Sequence, residues 1–272
     1  MSRIDDVFSA TKDNGSALIG YATAGFPDKR TSLSIASSLL EHCDILELGI
    51  PFSDPVLDGP VIQESSRRAL ESGFKVDDAF AIAAELRAAS SKPIMVMTYY
   101  NPVHRMGHAS FAAEAALAGV DGTLIPDLPP EEMAGWKGAA DGEGLCNVLF
   151  ASMTTPEQRL RYLGGLTQGF LYCFAVKGTT GIRESLAGEL GPFMKRAREC
   201  CSAPLALGLG ISTPQQCRDA SALADGVVVG SALVKAAMDA AEHGDDPALE
   251  AGRLAAQLKD ALAGNKGARA EE

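Results

Sequence analysis

The chain has 272 residues, 46% of them hydrophobic and 22% charged, with a formal net charge of −11. That length holds one large domain or two small ones, and the acidic balance excludes nonspecific binding to nucleic acid or anionic lipid, since no surplus of Lys and Arg exists to displace phosphate counterions. No apolar run approaches the twenty residues of a membrane span, and Met1-Ser2-Arg3-Ile4-Asp5-Asp6 lacks the apolar core of a secretory signal, so a cytoplasmic location is expected.

The first predicted element is a helix near 3–12, opened by Ser2 and Asp5 at capping-box spacing and expected to cover one end of the fold. Eight short apolar stretches then read as strands, near 17–23, 43–49, 93–99, 121–126, 145–151, 170–176, 204–209 and 226–230. Ala-rich amphipathic segments of helical length separate them, near 31–41, 61–72, 77–90, 109–118, 130–142, 156–163, 185–199, 214–223 and 231–241. Strand followed by helix, eight times over, predicts a parallel sheet with right-handed crossovers closed into a (β/α)8 barrel, an α/β fold. One domain is expected over 1–264, with a last surface helix after Pro247 and a disordered tail at 265–272.

The six cysteines are scattered without a C-x-x-C pair, and His104 and His108 are separated by the helix-breaking Gly107, so neither a disulfide framework nor a metal site is indicated.

Barrel enzymes carry their chemistry just beyond the carboxyl ends of the strands. In the second strand Ile45, Glu47 and Gly49 share one face, which places the Glu47 carboxylate in an apolar wall. A lumen ion pair would explain such a group. Without a basic partner, burial raises its pKa and suits it to proton transfer near neutral pH. The loop that follows carries Ser53, Asp54, Leu57, Asp58 and Gly59. Asp58 alone reads as a turn former, but across a pocket from Glu47 it becomes a second carboxylate, able to take a different acid–base role. Gly208-Leu209-Gly210 after the seventh strand, and Gly230-Ser231 after the eighth at a helix start, suit an anion held by backbone amides, with Thr180-Gly181 in the long loop after the sixth strand closing over it. Tyr21, Tyr99, Tyr100 and Tyr172, near the same strand ends, suggest a flat apolar group above the carboxylates. The ligand inferred from these residues has a ring at one end and a phosphate at the other.

The segment Glu47-Leu48-Gly49-Ile50-Pro51-Phe52-Ser53-Asp54-Pro55 with Asp58-Gly59-Pro60 resembles the signature of tryptophan synthase α subunits. Pro126-Asp127-Leu128-Pro129, Gly178-Thr179-Thr180-Gly181, Gly208-Leu209-Gly210-Ile211-Ser212 and Gly230-Ser231 follow in the family's order. The resemblance implies a lyase that cleaves indole-3-glycerol phosphate to indole and glyceraldehyde 3-phosphate, late in tryptophan biosynthesis, with Glu47 and Asp58 as the catalytic acids. It also implies Tyr21, Tyr99 and Tyr172 around the indole, and Thr180, Gly181, Gly210, Gly230 and Ser231 around the phosphate. No metal or organic cofactor is implied in this chain. A β subunit carrying pyridoxal phosphate is the implied partner in an α2β2 assembly, met by Asp54, Asn101, Asp127 and Pro129. The chain departs from the family at Leu57, where a small Ala is usual, at Met153, where a proline is often found, and in the lid around Lys177. Another phosphate-binding barrel isomerase or synthase, or a weakly active barrel serving mainly as the β subunit's allosteric partner, are the alternative readings.

Overall fold

The computed structural model describes residues 2–12, 15–174, 189–208 and 210–263. Eight parallel strands, β1 (Ala17–Thr23), β2 (Ile45–Gly49), β3 (Ile94–Met97), β4 (Gly122–Leu124), β5 (Cys146–Ser152), β6 (Leu171–Phe174), β7 (Leu205–Gly208) and β8 (Gly226–Val229), close into a barrel in chain order. Twelve helices among the described residues surround or cap it: α1 (Arg3–Thr11), α2 (Lys29–His42), α3 (Pro60–Glu71), α4 (Val76–Ala89), α5 (Tyr100–Met106), α6 (His108–Leu117), α7 (Ala134–Gly142), α8 (Glu157–Leu166), α9 (Gly191–Cys200), α10 (Pro214–Ser221), α11 (Ser231–His243) and α12 (Pro247–Leu262).

Strand alternation divides the core in two. Ile19, Ile45, Met95, Val148, Ala206 and Val228 point into the barrel and pack with Ile4 and Phe8 of α1. Leu18, Leu46, Leu48, Val96 and Leu207 point outward against the helical layer. The leading helix therefore plugs the end of the barrel where the strands begin, as its capping box leads one to expect: Asp5 N–H donates to Ser2 Oγ at 3.2 Å, and Ser2 N–H to Asp5 Oδ2 at 2.8 Å. The last helix is held less superficially than its sequence suggests. Asp246 caps its start, Ala251, Ala255 and Leu258 are buried, and Gly252 lies so close to α2 that a Cβ there would stand 2.0 Å from Ser38 Oγ.

At the rim where strands begin, one device recurs three times. Asp44, Asp121 and Asp225 each directly precede a strand or lie one residue before it, and each donates its N–H to the carbonyl of Leu18, Ile94 or Leu205 on the neighbouring strand. The side chains of Asp44, Asp121 and Asp225 accept the N–H groups of those same three residues at 2.7, 2.8 and 2.8 Å. A cation answers each carboxylate: Lys259 for Asp44, Arg3 and Arg87 for Asp121, Arg198 for Asp225. The double attachment sets the register of adjacent strands, and in a closed parallel sheet register sets the stagger of the whole barrel.

Two helices differ from expectation. The short α5 occupies a stretch read as loop, because seven residues with Pro102 in the first turn present no apolar period, and Gly107, at φ +89°, separates it from α6. The helix expected from 130 starts at Ala134, after the turns that follow Pro129-Pro130. The expected ends of β6 at 175–176 and of β7 at 209, the helix start at 185–188 and the tail at 265–272 lie outside the described residues.

Candidate active site

A cavity of about 310 Å³ opens where the strands end, lined by Tyr21, Glu47, Leu57, Asp58, Gly59, Ile62, Met97, Pro126, Phe150, Tyr172, Phe174, Val228 and Gly230. Seven of the eight strands, or residues within two positions of their ends, contribute to it, so the site is a property of the closed barrel rather than of one segment.

Glu47 stands beside Tyr21 in the β1–β2 register, and its side chain points inward with Ile45. It is only 2% exposed, and its Oε2 has no hydrogen-bond partner among the described residues. The lumen ion pair that would make it structural is absent there. Burial, and then the nearby charge of Asp58, push its pKa up to about 8. Asp58 lies in a less closed setting. Burial lifts its carboxyl to about 6, and a hydrogen bond from the Tyr99 hydroxyl opposes that rise. Near neutral pH one acid thus keeps its proton while the other has lost it, the arrangement in which two carboxylates divide acid and base roles.

The Asp58 loop is restrained at several points. Asp58 N–H donates to the Pro55 carbonyl at 3.0 Å, Gln63 Nε2 donates to the Asp58 carbonyl at 2.9 Å, and Leu57 N–H donates to the Tyr99 hydroxyl at 3.0 Å. Tyr99 itself is buried, with its ring stacked on Phe52 at 5.1 Å between centroids. It does not line the cavity. The resemblance puts Tyr99 beside the ligand, whereas the geometry puts it beneath the loop that carries Asp58.

Tyr21 and Tyr172 do line the cavity, and each leans on a glycine of the next strand. A Cβ on Gly49 would stand 2.0 Å from Tyr21 Oη, and one on Gly208 would stand 2.7 Å from Tyr172 Oη. Each of these glycines lies two residues beyond the register partner of its tyrosine, Glu47 for Tyr21 and Ala206 for Tyr172. Only glycine leaves room for the rings there. Burial raises the pKa of both phenols, so they stay neutral.

Where the sequence leads one to expect an anion, Gly230 lines the cavity and Ser231 begins α11 directly after it. Gly59 closes the gap between the two loops, since a Cβ on it would come within 3.9 Å of Ser231 Oγ. Gly210 takes the left-handed backbone at φ +61°, is exposed, and is not part of the cavity wall. Thr180 and Gly181 lie outside the described residues. Asp54, Asp127 and Pro129 are exposed on loops and Asn101 is exposed in the first turn of α5, with Asp127 accepting the Tyr100 N–H at 2.8 Å.

Sequence reading missed Leu57, Ile62, Met97, Phe150 and Phe174 as wall residues. Strand parity could have found three of them: Met97 follows the inward Met95 by two, Phe150 follows the inward Val148 by two, and Phe174 follows Tyr172 by two. Their rings continue the aromatic wall, with Phe150 5.0 Å from Tyr172 and 6.5 Å from Phe174 between centroids. Among the described residues no group of three His, Cys, Asp or Glu side chains is placed to hold a metal, and His108 instead shares a hydrogen bond with the Tyr100 hydroxyl at 2.8 Å.

A closed parallel barrel with two carboxylates facing one largely apolar cavity at its strand ends has the architecture of a (β/α)8-barrel enzyme. Residues 8–263 match the family described as "Tryptophan synthase alpha chain". Curated relatives of that name include one from Geotalea uraniireducens, 45% identical over 86% of this chain and 89% of its own, and one from Thermococcus kodakarensis, 44% identical over 89% and 95%. Among solved structures, the tryptophan synthase alpha chain of Legionella pneumophila superposes with a TM-score of 0.89 at 34% identity, covering 98% of this chain and 99% of its own. An M. tuberculosis tryptophan synthase structure superposes with a TM-score of 0.86 at 32% identity, covering 96% and 99%. The chain belongs to the tryptophan synthase alpha chain family. Its reaction is the cleavage of indole-3-glycerol phosphate, and it is a lyase.

Proposed function

We propose that Glu47 and Asp58 are the acid–base pair of this cleavage. The observation that carries the reading is the buried Glu47 carboxyl, without a partner among the described residues, facing the same cavity as the more exposed Asp58. Protonated Glu47 delivers its proton to C3 of the indole, and positive charge develops at the ring nitrogen. Ionised Asp58 accepts the indole N–H and stabilises that charge. The Glu47 carboxylate left behind takes the proton from the hydroxyl on the carbon attached to C3. The carbon–carbon bond then breaks, its electron pair returns to the ring, and indole and glyceraldehyde 3-phosphate are the products. Atoms and charge balance with Glu47 protonated again.

The ring lies along Tyr172, Phe150 and Tyr21, and the phosphate lies toward Gly230, Ser231, Gly210, Thr180 and Gly181. Asp54, Asn101, Asp127 and Pro129 meet the β subunit, which holds the pyridoxal phosphate and uses the indole; this chain carries no cofactor of its own. A cytoplasmic location suits this role, and no helix among the described residues is long and apolar enough to cross a membrane.

Indole release from indole-3-glycerol phosphate, measured with and without a β subunit, tests the reading. Turnover that Glu47→Gln abolishes and Asp58→Asn sharply reduces supports it. Wild-type activity retained in Glu47→Gln overturns the assignment, and no release under either condition favours a barrel that serves only as an allosteric partner.

A further inference from the structure

The wall of the cavity divides along the order of the strands. Gly230 after β8 and Gly59 before α3 leave backbone uncovered on one side, beside Ile62 of α3 and Val228 of β8, and that uncovered backbone suits an anion. Met97 of β3, Pro126 after β4, Phe150 of β5, and Tyr172 and Phe174 of β6 make an apolar side, suited to a ring. Leu57 belongs with the second group although it sits in the loop after β2. Its N–H is tied to the hydroxyl of Tyr99, which follows β3, so the loop is drawn toward that half of the barrel.

Leu57 is also 59% exposed while lining the cavity, and Phe174 on the aromatic side is 36% exposed. A leucine held at the mouth of an apolar cavity gains burial when a ring enters, at roughly 25 cal/mol for each Å² of apolar surface removed from water. The neighbouring Asp58 is anchored through its own backbone to Pro55 and Gln63, so the Leu57 side chain can change size without releasing the carboxylate's loop.

We propose that Leu57 is a specificity-determining residue, forming the outer wall against the carbocycle of the indole and limiting what that ring can carry. The inference rests on the assignment of this cavity to indole-3-glycerol phosphate. A wall of this kind discriminates by contact: one methyl group too many in a fitted apolar pocket changes kcat/KM by about tenfold or more.

The test is the reverse reaction, condensation of glyceraldehyde 3-phosphate with indole and with the four isomers methylated on the carbocycle, for wild type, Leu57→Ala and Leu57→Phe. The readout is the ratio of kcat/KM for each methylindole to that for indole, in which any general loosening of the loop cancels. Leu57→Ala is expected to raise this ratio about tenfold for at least one isomer, and Leu57→Phe to lower it for the same isomer. Ratios within about twofold of wild type for all four isomers in both variants would overturn the proposal. A wild-type protein that fails to condense indole itself would overturn the assignment of the cavity, and this inference with it, and is told apart by that control.

Discussion

The Tyr99 hydroxyl accepts the N–H of Leu57 at 3.0 Å and, acting on the Asp58 carboxyl, opposes the rise of its pKa, so a single buried phenol bears on both the backbone and the charged group of the loop that follows β2. Tyr99→Phe keeps the stack on Phe52 and removes both interactions. The Asp58 carboxyl then loses the interaction that holds it down, and the acid limb of the rate profile is expected to move above about 6. kcat should fall roughly tenfold, about the cost of one charge-assisted hydrogen bond. A pH–rate profile of the variant checks this; an unmoved limb would show that Tyr99 serves packing alone.

For the wild type, kcat/KM for indole-3-glycerol phosphate should trace a bell. Activity rises as Asp58 ionises, near about 6, and falls as Glu47 loses its proton, near about 8. The limbs belong to the pair, since each carboxylate feels the other. Tyr21 and Tyr172 face both groups, Tyr99 lies by Asp58, and all three stay neutral across this range. In the residual activity of Asp58→Asn the acid limb should be lost and the basic limb should move to lower pH, because the Asp58 charge no longer raises Glu47.

Glu47 costs the fold stability that its chemistry requires. Its carboxyl titrates near 4.5 when exposed and near about 8 in the folded chain. Below 4.5 both states are protonated and nothing is lost. Between 4.5 and 8 the unfolded chain releases a proton that the folded chain keeps, so stability falls as pH rises through this window, and above it the loss is complete. Glu47→Gln does not titrate, so its advantage over wild type should grow from nothing at pH 4 to on the order of 4 kcal/mol at pH 8. Denaturant melts at the two pH values measure this directly, and an advantage independent of pH would contradict the burial argument.

At the opposite rim, Asp121→Asn removes the charge answered by Arg3 at 2.7 Å and Arg87 at 2.6 Å, and weakens the acceptor of the Ile94 N–H. A loss of about 2–3 kcal/mol in unfolding free energy is expected, with kcat/KM unchanged. Altered kinetics without loss of stability would mean that the strand beginnings are coupled to the site more directly than the barrel layers suggest.

The architecture and the two carboxylates were legible in the sequence for the same reason: eight apolar runs separated by helical periods leave little choice but a closed parallel sheet, and strand ends then mark the site. Glu47 stood out as a charge on an apolar face. Phe150 and Phe174 did not, because a phenylalanine in a strand looks the same whether it faces a ligand or the core, and only the register decides. The role of Tyr99 was hidden more deeply. Its contact with Leu57 spans 42 positions of chain and depends on how one loop lies over the next strand, which no local pattern encodes. The three aspartates before β2, β4 and β8 carry no local sign of their role, which exists only once the neighbouring strands are side by side.

That Tyr21 and Tyr172 rest on the backbones of Gly49 and Gly208 has a consequence for how such a protein can change. Two flanks of the binding slot are spaced by main-chain atoms of the sheet, which cannot be trimmed or enlarged one methyl at a time. Drift in substrate preference is therefore channelled into the connecting segments, where side chains can vary freely, while the slot between the phenols keeps one width for as long as the sheet survives.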